Sequence, residues 1–199
     1  MIGRTIGRYR IEGKLGEGGL ASVWQATDEL LGRTVALKIL DAKMAQAPDV
    51  VRRFLHEGRS TAALSHPGIV AVFDSGLVDA LPFLVLERIE GEVLAERLRR
   101  GRLPVNEAVH IALSVADALA HAHEHHVIHR DVTGRNIMLA RDHRVVVLDF
   151  GLALAAWESR LTATGTRMGT APYIAPEILL GQAVGVRSDI YSLGIVLYE

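Results

Sequence analysis

The side chains best suited to chemistry lie together in the second half of the chain. Asp131 and Asn136 are five residues apart, and Asp149 follows an apolar run at 145–148. Such a run predicts a buried strand that delivers Asp149 to a fixed point. A loop carboxylate can accept a proton, and Asn136 and Asp149 offer the oxygen ligands that magnesium prefers. This stretch therefore predicts one proton acceptor and two magnesium ligands.

A glycine-rich segment at 16–23 is a candidate phosphate-binding turn. Glycines let the backbone approach phosphate oxygens closely and present N–H groups to them, although hairpin glycines alone can account for a Gly-x-Gly pair. A dinucleotide-binding turn would need a helix next, but the residues after Ala21 favour a strand. A P-loop would need serine or threonine where Leu15 stands.

Lys38 lies inside an apolar segment, 34–40, that predicts a strand. Most lysines are solvated, but a lysine among apolar neighbours needs a negatively charged partner.

Composition limits the class of protein. The chain has 199 residues, of which 49% are hydrophobic and 23% charged, and its net charge is −1. These values are ordinary for a globular enzyme, and they favour neither a nucleic-acid binder nor a membrane-surface binder. There is no cysteine, no 18-residue apolar stretch and no signal-peptide core at the start. We expect a cytoplasmic protein with no membrane segment.

The periodicity predicts strands in the first half and helices in the second. Strands are expected at 9–11, 22–26, 34–40, 69–73 and 83–87, and helices at 49–64, 105–123, 176–180 and from 188 onwards. Composition changes at 87–91, so the predicted domains are a strand-rich lobe, residues 1–88, and a helical lobe, residues 89–199.

Seven short motifs resemble the protein kinase signature, in particular the eukaryotic-like serine/threonine kinases of bacteria. They are Val-Ala-Leu-Lys at 35–38, His-Pro-Gly at 66–68, His-Arg-Asp at 129–131, Asn136, Asp-Phe-Gly at 149–151, Ala-Pro-Glu at 175–177 and Ser-Asp at 188–189. The resemblance extends from about residue 9 to the end. It implies an α+β, two-lobed protein kinase fold with a strand-rich N-lobe and a mostly helical C-lobe. Because the sequence stops within the expected central helix, we expect a truncated, incomplete C-lobe.

The resemblance implies a role for each candidate residue. Asp131 accepts or orients the proton of a substrate hydroxyl, Lys38 pairs with Glu57 and meets the α- and β-phosphates of ATP, and Asn136 and Asp149 bind Mg²⁺, or Mn²⁺ in its place. Asp189 holds the backbone of the catalytic loop. The implied ATP-binding residues are Leu15, Gly16, Glu17, Gly18, Gly19, Val23, Ala36, Lys38, Leu86, Glu87, Ile89 and Met138.

Three threonines after Asp149 carry further expectations. Thr162 and Thr164 are candidate autophosphorylation sites, because a phosphate on this loop could pair with Arg130. By resemblance, Thr170 faces the substrate.

Two features depart from the simplest interpretation. Thr133 stands where the serine/threonine-specific members of the family usually have a lysine, and Gly134 stands where proline is usual. Losing one charge-assisted hydrogen bond would slow catalysis by about ten- to a hundredfold at most, and the threonine hydroxyl could recover part of that loss. His121 and His125, one helical turn apart, could hold a metal, but no carboxylate or thiolate completes a ligand set.

We therefore expect an ATP-dependent serine/threonine protein kinase that acts on protein substrates and phosphorylates itself through self-association. Two alternatives stay open. Thr133 and the incomplete C-lobe are compatible with a catalytically weak or inactive ATP-binding module. The loop from Asp131 to Asn136 also occurs in small-molecule phosphotransferases, although the Gly-Thr and Ala-Pro-Glu segments favour a peptide groove.

Overall fold

A computed structural model describes residues 1–150 and 171–199. The chain divides into two compact units. The first contains Met1–Ala63 and Ala71–Ile89, and the second contains Leu64–Val70 and Glu90–Glu199.

The first unit is built on a six-stranded antiparallel sheet. Its strands are β1 (Thr5–Ile6), β2 (Tyr9–Glu17), β3 (Ala21–Asp28), β4 (Arg33–Leu40), β5 (Val72–Val78) and β6 (Leu81–Leu86), in the spatial order β1-β2-β3-β4-β6-β5. Strand β2 begins with alternating buried and exposed residues, the pattern of a strand with one solvated face. Strand β4 is buried from Val35 to its end, as its apolar composition predicts.

Helix α1 (Pro48–Ala62) packs against β5 and β6. It starts at Pro48, which is favourable in a first turn because the missing N–H has no helical partner there. Its buried residues, Phe54, Gly58 and Thr61, are four and three positions apart and so form one face.

The second unit is mainly helical and carries a small sheet. Its helices are α2 (Leu94–Leu98), α3 (Val105–Glu124), α4 (Pro176–Leu179) and α5 (Val186–Tyr198), and the sheet has the order β7 (Gly91–Val93), β8 (Ile137–Ala140) and β9 (Val145–Val147). Short 3₁₀ helices occur at Gly134–Asn136 and Ala171–Tyr173 here, and at Met44–Gln46 in the first unit.

Most of the predicted elements are confirmed. The long helix predicted at 105–123 is α3, and its buried residues Ile111, Val115 and Leu119 follow the predicted spacing. The run at 145–148 contains β9, which is buried along its whole length. Helix α5 starts two residues earlier than predicted.

The strand predicted at 69–73 is wrong over most of its length. Strand β5 begins only at Val72 and continues to Val78. Its centre, Asp74, Ser75 and Gly76, consists of residues with low strand propensity, so the sequence does not indicate a strand there. The apolar residues Ile69 and Val70 instead belong to the second unit. There the N–H of Val70 donates to the carbonyl of Val147 at 3.1 Å, and the N–H of Val147 donates to Gly68 at 2.8 Å.

Among the strands and α-helices of the described residues, four were not predicted. Strands β1, β7 and β8 and helix α2 are two to five residues long. Segments this short show too little periodicity to be recognised. Within the described residues, no helix is long and apolar enough to cross a membrane.

Gly91 is required by the close approach of β7 to β8. A Cβ added there would overlap the carbonyl oxygen of Leu139 and lie 2.9 Å from the Cα of Ala140, and neither backbone atom can rotate away. We expect Gly91→Ala to lower the free energy of unfolding by about 1–3 kcal/mol, measured by denaturant titration. Gly13→Ala is the control, because nothing lies within 4 Å of a Cβ at Gly13. Equal stability of the two variants would contradict this packing argument.

Candidate active site

In the first unit, strand pairing brings several candidate residues into register. Gly16 pairs with Val23, Val23 with Lys38, and Lys38 with Leu84. Directly paired residues of antiparallel strands project from the same face of a sheet, and so do residues two apart in one strand. Val23, Ala36 and Lys38 therefore share one face.

The glycine-rich segment forms the end of one hairpin. Leu15, Gly16 and Glu17 end β2, while Gly18 and Gly19 form the turn before β3. The N–H of Gly18 donates to the carbonyl of Ala21 at 2.9 Å, which closes the turn. A strand, not a helix, follows the glycines, as the sequence predicts.

Lys38 and one carboxylate oxygen of Glu57 are withdrawn from water. Lys38 is only 4% exposed, and the Oε2 atom of Glu57 on α1 is buried. Both groups are engaged in polar or charged interactions. The expectation that a lysine within β4 is not simply solvated is therefore confirmed.

The segment after β6 carries the residues expected to meet adenine. Leu86 is buried at the end of the strand, and Glu87 and Ile89 follow it. The N–H of Glu87 donates to the carbonyl of Ala71 at 2.8 Å. Of the backbone groups of Glu87, only the carbonyl could therefore meet a base.

In the second unit, one buried carboxylate holds the loop at residues 129–136, which is called the catalytic loop by resemblance to the family. Asp189, in the first turn of α5, is 0% exposed. It accepts hydrogen bonds from the backbone N–H groups of His129 at 2.8 Å and Arg130 at 2.7 Å, and its Oδ2 lies 2.8 Å from Nε2 of His123. The predicted role of Asp189 in holding the loop backbone is confirmed.

The ring of His129 ties the loop to the end of β9. Its Nδ1 accepts the N–H of Asp131 at 3.1 Å, and its Nε2 donates a proton to the carbonyl of Leu148 at 2.7 Å. The ring also packs against Phe150, with centroids 4.6 Å apart. His129 is therefore a buried scaffold residue.

Asn136 is tied to both Asp131 and the residue before Asp149. Its side-chain amide donates to the backbone carbonyl of Asp131 at 2.8 Å and to Oδ2 of Asp131 at 2.9 Å. Its own carbonyl accepts the N–H of Leu148 at 2.8 Å. Asp149 follows with a left-handed backbone, φ 56°, an uncommon conformation that turns the chain sharply after β9. The loop thus brings Asp131, Asn136 and Asp149 together.

The environment of Asp131 combines burial with a second negative charge. Burial raises the pKa of Asp131, the His129 ring and the Asn136 hydrogen bond oppose that rise, and the charge of Asp149 adds to it. Oδ1 of Asp131 is buried, and no described residue donates a hydrogen bond to it. This oxygen is suited to accept the proton of a hydroxyl.

The donor set fits a magnesium ion. Magnesium is usually held by one or two carboxylates together with phosphate oxygens, and a cation would relieve the repulsion between Asp131 and Asp149. Residues 1–150 and 171–199 contain no group of three His, Cys, Asp or Glu side chains able to hold a metal by themselves. His121 and His125 are the two histidines whose helical spacing made them candidate metal ligands. Their rings lie 4.4 Å apart, and Nδ1 of His125 is 2.8 Å from the carbonyl of His121.

Beside the catalytic loop lies a cavity of about 410 Å³ that sequence reasoning missed. It is lined by Ala95, Leu98, Arg99, Thr133, Arg135, Tyr173 and Glu199. Thr133 is only 5% exposed, and a Cβ at Gly134 would lie 3.2 Å from the backbone nitrogen of Ala95. Gly134 in place of proline thus permits a close approach of α2, a contact that no periodic pattern of residues indicates.

The remaining candidates fall in two places. Met138 lies in β8, half-buried and opposite Val146. Thr162, Thr164 and Thr170 lie outside the described residues.

Asp189 offers a direct test of this anchoring. Asp189→Ala leaves two backbone N–H groups and Nε2 of His123 without their acceptor, so we expect the free energy of unfolding to fall by about 3 kcal/mol or more. Asp189→Asn retains one oxygen, so its free energy of unfolding should lie between those of Asp189→Ala and wild type. The control Asp142→Ala, in an exposed turn, should lower the free energy of unfolding by less than about 1 kcal/mol. Denaturant unfolding of all four proteins gives the comparison. If Asp189→Ala matched Asp142→Ala, the anchoring role would be refuted.

Comparisons with known proteins agree with this geometry. The family model "Protein kinase domain" matches residues 9–199. Serine/threonine-protein kinase PknA of Mycobacterium tuberculosis is 42% identical over 205 residues, which cover 100% of this chain and 48% of PknA. Serine/threonine-protein kinase PrkC of Bacillus subtilis is 39% identical over 201 residues, covering 100% of this chain and 31% of PrkC. The chain thus spans less than half the length of these relatives.

A solved structure gives the same result for the fold. The kinase domain of PknI from Mycobacterium tuberculosis superposes with a TM-score of 0.80 at 29% identity, covering 100% of this chain and 74% of that one. The predicted fold class, a strand-rich N-lobe followed by a partial helical C-lobe, is confirmed. With the family model and both sequence relatives in agreement, the chain belongs to the protein kinase domain family.

Proposed function

We propose that this chain carries the catalytic centre of a serine/threonine protein kinase, which transfers the γ-phosphate of ATP to hydroxyl groups of proteins. The observation that carries the proposal is the arrangement around Asp131. One carboxylate oxygen is occupied by Asn136, while the other is buried and receives no hydrogen bond from the described residues. A substrate hydroxyl placed there would find its proton acceptor already oriented.

The other candidate residues each have a part in this reaction. Asp149 and Asn136 would hold Mg²⁺, or Mn²⁺ in its place, and the metal when bound neutralises charge on the phosphates. Lys38 would bind the α- and β-phosphates, with Glu57 as its partner. The turn at Gly16, Gly18 and Gly19 would lie over the phosphates.

The adenine contacts follow from the same proposal. Val23 and Ala36, which share one face of the sheet, and Met138 of β8 would contact the base. Leu86, the carbonyl of Glu87 and the backbone of Ile89 would meet its edge. Leu15 and Glu17 would flank the glycine turn.

Substrates and regulation are the broadest part of the proposal. The acceptors would be serine or threonine residues of proteins in the cytoplasm, where ATP is available. Thr170 would face these acceptor residues. Self-association would let one copy phosphorylate Thr162 or Thr164 of another, and the new phosphate could pair with Arg130.

A labelled-ATP assay with a generic protein acceptor tests the activity. We expect magnesium-dependent transfer by the wild type, and at least about a hundredfold loss in Lys38→Met, Asp131→Asn and Asp149→Ala, because each removes a group that stabilises or positions the reacting phosphate. Lys43→Met is the matched control, since Lys43 is exposed before a short 3₁₀ helix. Mass spectrometry of the labelled chain should find phosphate on Thr162 or Thr164. Wild-type protein that binds ATP yet transfers nothing would refute the activity.

The second candidate function, a catalytically weak ATP-binding module, is favoured by Thr133. A buried threonine brings no positive charge to the catalytic loop. In Thr133→Lys the new side chain could extend into the adjoining cavity. We expect its turnover to rise by up to about ten- to a hundredfold, whereas Thr133→Val should show no gain. Unchanged turnover in Thr133→Lys would mean that the threonine is already sufficient.

A further inference from the structure

Helix α1 meets the sheet of the first unit at a glycine. Gly58 is buried in the interior of α1, and a Cβ built on it would overlap Cδ2 of Leu84 and lie 3.1 Å from Cδ1 and 3.3 Å from Cγ. Leu84 is itself only 4% exposed. Glycine weakens the interior of a helix relative to alanine, so helix stability does not explain its presence here. The close approach to Leu84 does.

The point of closest approach lies beside Lys38. Leu84 on β6 pairs directly with Lys38 on β4. The two side chains therefore project from the same face of the sheet, the face on which α1 packs. Glu57 immediately precedes Gly58, and its carboxylate oxygen Oε2 is buried. A buried lysine and a glutamate with one buried oxygen thus lie on facing elements, next to this contact.

The spacing leaves no room for a side chain at position 58. Carbon atoms in contact lie about 3.5–4.0 Å apart, so a Cβ would require α1 to retreat by about 1 Å, or Leu84 to move. Rotation about the Cβ–Cγ bond of Leu84 carries both δ carbons but leaves Cγ in place, 3.3 Å from the new atom. Rotation about the Cα–Cβ bond would drive Leu84 into its buried surroundings. Retreat of the helix is the simpler response.

We propose that Gly58 is a positioning residue: by lacking a side chain it sets the distance between α1 and β6, and thereby holds the carboxylate of Glu57 at the ammonium of Lys38. Its effect on catalysis rests on the proposed function, whereas its effect on the position of Lys38 does not. Misplacement of a catalytic group by about 1 Å can lower a rate by about a hundredfold.

The test uses Gly58→Ala, with Leu84→Val as the compensating change, because valine lacks both δ carbons. Arg59→Ala is the control, since Arg59 is exposed on the same helix. We expect Gly58→Ala to lower kcat/KM for ATP by about ten- to a hundredfold, Arg59→Ala to stay within twofold of wild type, and Gly58→Ala with Leu84→Val to recover most of the loss. Combined with Glu57→Gln, Gly58→Ala should add little further loss, because both changes break one interaction.

A second measurement does not depend on activity. Acylation of lysines, followed by mass spectrometry, reports how accessible the amine of Lys38 is. We expect faster acylation of Lys38 in Gly58→Ala than in wild type, and a return to the wild-type rate when Leu84→Val is added. If the chain transferred no phosphate, this rate would still decide the spacing argument while the proposed function failed.

Three results would overturn the inference. In the first, kcat/KM of Gly58→Ala lies within twofold of that of Arg59→Ala and the acylation rate of Lys38 is unchanged. In the second, the double variant Gly58→Ala with Leu84→Val is as defective as Gly58→Ala alone. In the third, the losses in kcat/KM from Gly58→Ala and Glu57→Gln multiply in full when the two changes are combined. Should Gly58→Ala fail to fold, as judged by thermal unfolding, the double variant decides. If the double variant folds and is active, the inference that Gly58 sets the distance between α1 and β6 is supported. If the double variant does not fold or is inactive, the inference is refuted.

Discussion

The catalytic loop depends on one buried carboxylate. Asp189 is inaccessible to solvent, and its two oxygens accept the N–H groups of consecutive loop residues, His129 and Arg130. Arg130 has a left-handed backbone, φ 70°, which is unfavourable for a residue with a side chain and persists only where its surroundings enforce it. The carboxylate supplies that enforcement, because a buried charge is stable only while its hydrogen-bonding partners stay in place. The loop conformation and the start of α5 therefore stabilise each other.

From this anchor the active groups are positioned by short polar links. His129 and Asn136 both bind the backbone of Leu148, and Asn136 also binds Asp131. The carboxylates of Asp131 and Asp149 are consequently held close enough for the charge of one to raise the pKa of the other. A site with two neighbouring carboxylates and an amide oxygen is prepared for a cation. Its geometry is costly for the empty protein and favourable once positive charge is bound.

The first unit relies on packing and strand register instead. The pairing of Val23 with Lys38, and of Lys38 with Leu84, aligns the candidate nucleotide contacts across three strands. Gly58 then brings α1 against the same row. Here the spacing between α1 and the sheet follows from the fit of apolar surfaces at Gly58 and Leu84.

By itself, the order of residues determined the types of the long elements, the identity of the candidate groups and the family, because helical periodicity, apolar runs and motif spacing are local properties of the chain. It misplaced β5, whose centre is polar, and it missed α2, β7 and β8, which are too short to show a period. Only the tertiary structure assigned the segment Leu64–Val70 to the second unit and showed which oxygen of Asp131 receives no hydrogen bond from the described residues. It alone revealed how closely Gly58 approaches Leu84. Those facts depend on atoms far apart in sequence, and a contact between distant residues leaves no mark on the local pattern of either.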